Sequence, residues 1–111
     1  MSVHKLEKLN KLIRYELAKI LLEEGDFEPG TLVTVLKVKT SPDFFNASAI
    51  ISVLPSQKAE KVLESLNRRI YFLQQILNKR LQMRPVPKIR FEVDFTEAEG
   101  EKIERIIRKI Q

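Results

Sequence analysis

Two carboxylates in this chain are spaced as an acid–base pair would be. Glu92 and Asp94 flank Val93 in the run Ile89-Arg90-Phe91-Glu92-Val93-Asp94-Phe95, which alternates apolar and polar residues. Side chains two apart on a strand share a face, so the pair could move a proton or hold a divalent cation. Other reactive types are scarce: His4 is the single histidine, cysteine is absent, and the three glycines form no phosphate-cradling loop. A chain without cysteine has no disulfide, no thiolate nucleophile and no usual structural zinc site. The alternation therefore reads as the solvated outer face of a sheet, and no metal, cofactor or catalysis is expected.

The stronger signal is cationic. From Arg68 to Arg90 the chain runs 23 residues without an acid and carries Arg68, Arg69, Lys79, Arg80, Arg84, Lys88 and Arg90. Widened to Gln57–Arg90, nine basic residues face only Glu60 and Glu64, a net of +7 within a chain whose total is +5. Charge concentrated this way on an otherwise balanced chain is the footprint of a polyanion binder, RNA or DNA being the usual partner. Arg68 and Lys79 are eleven residues apart, as are Arg69 and Arg80, so on a straight helix each pair would line one face about 16 Å apart. Such groups meet phosphates without reading sequence. Tyr71 is the aromatic best placed to stack on a base, whereas Tyr15 and Phe72, at helical spacing, are expected in the core or at its edge. One of Phe44 and Phe45 is expected to pack beneath a hairpin, the other to be exposed.

Periodicity gives the elements that carry these groups. Leu6, Leu9, Leu12, Ile13, Leu17, Ile20 and Leu21 recur at the three-and-four spacing of an amphipathic helix, which Gly25 would stop. Thr31–Lys39 has the β-rich composition of a strand, with Leu32, Val33, Val35, Leu36 and Val38 as its apolar residues. Ser41-Pro42-Asp43 interrupts it, and Asn46–Leu54 reads as a second strand forming an antiparallel hairpin with the first. Ser56 can cap the next helix. That helix extends from Gln57 to about Met83, seven turns, a length at which a kink or break is expected. Pro85 and Pro87 end it, and Ile89–Phe95 is the third strand. Thr96-Glu97-Ala98-Glu99 has capping-box spacing, and Ile103, Ile106, Ile107 and Ile110 complete a last amphipathic helix. The order α-β-β-α(α)-β-α predicts an α+β domain spanning 1–111, a three-stranded sheet with helices packed on one face.

With 111 residues and 43% hydrophobic content, the chain can bury one modest core. No apolar run is long enough to span a membrane, and Met1 to Lys5 opens directly into a charged pattern without a signal-peptide core. A cytoplasmic protein is expected.

Three patterns follow one another along the chain: Ser41-Pro42-Asp43-Phe44 followed by Asn46-Ala47, then Arg84-Pro85-Val86-Pro87-Lys88-Ile89-Arg90-Phe91-Glu92-Val93-Asp94, then Glu99-Gly100. Together they resemble the ribosome-binding factor A family of bacterial small-subunit assembly factors. In this order and spacing they cover about Leu6 to Ile110. The resemblance implies a type II KH-like fold and a non-enzymatic factor that binds the small (30S) ribosomal subunit and its 16S rRNA. It implies a role in late maturation and rRNA processing, importance for growth in the cold, and no cofactor. It also implies that a helical kink, at an Ala-x-Gly in the family, replaces the phosphate-clamping loop of other KH domains. The corresponding positions here are Arg69-Ile70-Tyr71, with no small residue, and the chain stops at Gln111, short of the tail many members carry. The RNA-binding residues expected are Arg68, Arg69, Tyr71, Lys79, Arg80, Arg84, Lys88 and Arg90, on a monomer with no membrane or small-molecule partner. Competing readings are a protein-interaction module for an acidic partner and a KH-like nucleic-acid binder unrelated to ribosomes.

Overall fold

The computed structural model describes residues 3–95, so the capping box at Thr96 and the helix expected after it lie outside the described residues. Helix α1 spans Val3–Glu24, strand β1 Leu32–Thr40, strand β2 Asn46–Leu54, helix α2 Ala59–Arg68, helix α3 Ile70–Arg80 and strand β3 Lys88–Val93. The strands order β1-β2-β3, with β1 and β2 antiparallel and β2 and β3 parallel. A parallel pair needs a crossover, and α2 with α3 supplies it.

One stripe of α1, Leu9, Ile13, Leu17, Ile20 and Leu21, is buried against the sheet and α3. Each such side chain contributes about 1.5–3 kcal/mol, more than helix propensity could, so packing holds this helix. On the sheet the inward residues stand in register across all three strands: Val38 beside Ala49 beside Phe91, and Thr40 beside Ala47 beside Ile89. The alternation fails once. A bulge between Val35 and Lys37 leaves Leu36 unpaired with β2, turned partly to solvent, and Leu32 is also exposed. Of the five apolar residues that mark β1, Val35 and Val38 are buried, because one extra residue in a strand resets which side chains face inward.

Gly25 follows α1 at a point with no space for a side chain. A Cβ there would collide with the Leu21 carbonyl oxygen and stand 2.5 Å from Cε2 of Phe27, while its φ lies outside the left-handed region. Ser56 does not cap α2: a short 3₁₀ turn, Ser56–Lys58, precedes the helix, and neither start carries a side-chain cap. The turn between β1 and β2 closes on Asp43, whose carboxylate accepts from the Ser41 hydroxyl and from Phe45 N–H at 3.0 Å. Phe44, at φ 65°, is thereby folded against the core, and Phe45 is left exposed, the division expected of the pair.

The central helix is broken, at Arg69. Its φ of −103° and ψ of 11° fall in the bridge region that any residue can adopt, so neither glycine nor a small residue is required. The hydrogen-bond ladder passes across the bend, Arg69 N–H to Ser65 O at 3.1 Å and Leu73 N–H to Arg69 O at 3.0 Å. The break also removes the straight helix on which Arg68 pairs with Lys79 and Arg69 with Arg80.

Candidate nucleic-acid interface

The eight residues expected to meet RNA fall into three groups. The first lies along the helices. Tyr71, Gln75 and Lys79 recur every fourth residue on α3 and are exposed, Tyr71 at 77%, with Arg68 at the preceding helix end also exposed. Lys79 and Arg84 rim a depression of about 380 Å³ beyond the end of α3. Arg68 rims a groove of about 340 Å³ between α2 and the loop after α1. In that groove Glu28 pairs with Lys58 at 2.9 Å and Lys61 at 3.6 Å, and the hydrogen bond and charge of Lys58 hold its carboxyl below the usual range. Arg68, Lys79 and Arg84 have no acidic partner among the described residues.

The second group faces inward. Arg80, 27% exposed, reaches α1 and pairs with Glu23 at 2.7 Å and Glu16 at 3.5 Å. Those contacts, the Glu23 hydrogen bond first, hold the guanidinium charged. Arg69 donates to the carbonyl of Glu24, one of the orphan acceptors at the end of α1, and lies over the Phe72 ring at 5.2 Å. The acid-free stretch of sequence is therefore not acid-free in space, because α1 brings the missing carboxylates from about 60 residues away. Arg69 and Arg80 clamp α3 to α1. Tyr15 and Phe72, expected in the core or at its edge, are 61% and 45% exposed, with Arg69 over the Phe72 ring.

The third group lies on the sheet. Lys88 and Arg90 point from β3 to the face that the helices leave open, where Arg90 stands in register with Ser48 and Ser48 with Lys39. Lys37 is on the same face. Lys37 and Lys39 were missed by sequence reasoning, although their spacing of two on a strand carried the signal; only the register of β1 on β2 shows which cations they join. Glu92 shares this face and contacts Ser48 and Arg90 at 3.5 and 3.7 Å, while Asp94 lies beyond β3 and its N–H bonds Ile51 O at 2.8 Å. Among the described residues no group of histidine, cysteine or acidic side chains could hold a metal ion, and no helix is long and apolar enough to cross a membrane.

A three-stranded mixed sheet with a broken helix pair crossing between its parallel strands defines the class, a type II KH-like α+β domain. The chain belongs to the ribosome-binding factor A family, whose sequence profile matches residues 5–107. It is 31% identical over 104 residues to ribosome-binding factor A of Rhodopseudomonas palustris (strain BisB5), covering 91% of this chain and 76% of that one. It is 30% identical over 112 residues to that of Desulfitobacterium hafniense (strain DSM 10664 / DCB-2), covering 100% and 90%. The crystal structure of ribosome-binding factor A from Thermus thermophilus superimposes with a TM-score of 0.70 at 25% identity, over 79% of this chain and 94% of that one. A homology model of the Thermus thermophilus factor, fitted into the cryo-electron-microscopy map of a 30S complex, gives a TM-score of 0.63 at 24% identity, over 77% and 90%.

Proposed function

We propose that residues 1–111 act as one non-enzymatic, monomeric KH-like domain that binds the small ribosomal subunit and its 16S rRNA in the cytoplasm. On this reading it acts during late maturation and rRNA processing and matters for growth in the cold. The observation that carries it is membership of the ribosome-binding factor A family together with Arg68, Lys79 and Arg84 left exposed and without acidic partners, among the described residues, around the broken helix. Exposed arginine and lysine at the ends of α2 and α3 and in the segment after α3 can meet phosphates, and Tyr71 on α3 offers a ring to an unpaired base. Arg69 and Arg80 serve this surface by holding α3 against α1. The Thermus thermophilus factor fitted into a 30S complex supports the partner by likeness of fold.

The test is co-sedimentation with purified small subunits across a salt series. Binding should fall steeply with salt, and Arg68→Glu, Lys79→Glu and Arg84→Glu together should abolish it. Subunit binding unchanged in that triple variant would overturn the assigned surface.

A further inference from the structure

The open face of the sheet is built differently from the helical surface and lies on the other side of the strands from the packed helices. Lys37 and Lys39 on β1 and Lys88 and Arg90 on β3 project from it, with Ser48 of β2 between Lys39 and Arg90 in register. Adjacent strands are about 4.8 Å apart and residues two apart on a strand about 6.6 Å, so the sheet fixes the backbone positions from which the four cations extend. Lys39, Lys88 and Arg90 line a groove of about 490 Å³ whose lining adds Ser41 and Asn46, hydroxyl and amide groups, to the charges. Phe45, next to the groove residue Asn46 in sequence, is 60% exposed, and its carbonyl accepts from Lys88 N–H at 2.8 Å. The acids near this face are engaged: Glu92 by Ser48 and Arg90, Asp43 by Ser41 and the backbone of Phe45.

We propose that this face is a second RNA site, a groove for single-stranded RNA in which Lys39, Lys88 and Arg90 meet successive phosphates and Phe45 stacks on a base. The proposal extends the function above and rests on it: one domain would hold two RNA segments, one against its helices and one against its sheet. The chemistry favours RNA over an acidic protein. A cationic groove with an exposed aromatic residue beside it in sequence has the two elements that hold single strands without sequence preference. A protein partner would need a desolvated apolar anchor at the centre, and here the centre is Ser48.

The probe is a fluorescent twelve-nucleotide oligouridine, titrated by anisotropy across a salt series, with a glutamate dodecamer as competitor. Lys39→Gln, Lys88→Gln and Arg90→Gln together should weaken oligouridine binding about ten-fold or more and lower the salt slope by about 2, at roughly 0.7 per phosphate lost from a single strand. Phe45→Ala should weaken it about ten-fold with the slope kept, as expected of stacking. The corresponding arginine variants, Lys39→Arg and Lys88→Arg, should bind like wild type, which separates charge from folding. With small subunits already bound, wild type should still take up the oligouridine. Unchanged affinity and slope in the glutamine variant would overturn the sheet site, as would displacement of oligouridine by the glutamate peptide at equal charge concentration. The helical triple variant loses subunits but keeps oligouridine if both sites exist, so failure of this site and failure of the proposed function are read on different ligands.

Discussion

The side-chain amide of Gln74 is bonded to the backbone on either side of Lys88: Ile89 N–H donates to its Oε1 at 2.9 Å, and its Nε2 donates to the carbonyl of Pro87 at 3.1 Å. β3 is an edge strand, and Gln74 pairs with its start as a neighbouring strand would. Asn78, one turn along α3, accepts the second Nε2 hydrogen at 2.9 Å. α3 and Lys88 are thus set relative to each other by one amide. Gln74→Leu should cost about 1–3 kcal/mol, the penalty of leaving the Ile89 N–H and the Pro87 carbonyl unpaired. Urea denaturation measures it, and hydrogen exchange should show the Ile89 amide losing protection ahead of those in β2.

Neighbouring cations on α3 should behave oppositely. Lys79 is exposed without an acidic partner among the described residues, whereas Arg80 pairs with Glu16 and Glu23. Lys79→Ala should leave stability within about 0.5 kcal/mol and lower the salt slope of subunit binding by about 0.7–0.9. Arg80→Ala should lower the urea midpoint and leave the salt slope as in wild type. A reversed pattern in these two measurements would show that Arg80, not Lys79, meets the phosphates.

Gly25 should tolerate no side chain. The Leu21 carbonyl lies where a Cβ would be, and as backbone it cannot move aside without unwinding the end of α1. Gly25→Ala should destabilise by about 1–3 kcal/mol, the range for overpacking, although alanine is the better helix former. A thermal midpoint equal to wild type would refute this.

The β1–β2 turn should carry a pH dependence. The Ser41 hydroxyl bond, and next the Phe45 N–H bond, hold the Asp43 carboxyl below its ordinary value of 3.8. A group depressed in the folded state contributes stability that is complete above that ordinary value and is lost as the pH falls through its lower folded value. Thermal midpoints should therefore fall less steeply on acidification in Asp43→Asn than in wild type. Glu28, depressed by Lys58, acts in the same direction and remains in both proteins.

Much of this arrangement was legible in the chain because it is local. The three-and-four spacing of α1, the alternation of β3, the turn residues at Ser41-Pro42-Asp43 and the excessive length of the central helical pattern each express contacts within a few residues. The break itself was foreseeable from length, and the family resemblance put it at Arg69-Ile70-Tyr71; the residues alone do not mark the place, because Arg69 adopts a backbone conformation open to any residue.

Residue order alone settles the set of elements and the charge they carry, since backbone periodicity and net charge need no knowledge of neighbours. Which of those charges remain available is settled only when the chain packs. Arg80 and Lys79 are adjacent in sequence, yet one is consumed by Glu16 and Glu23 and the other is not, because α1 lies against only one side of α3. Lys39 and Arg90 are 51 residues apart, yet they flank Ser48 because strand register, a matter of hydrogen bonds between distant segments, sets them on one open face.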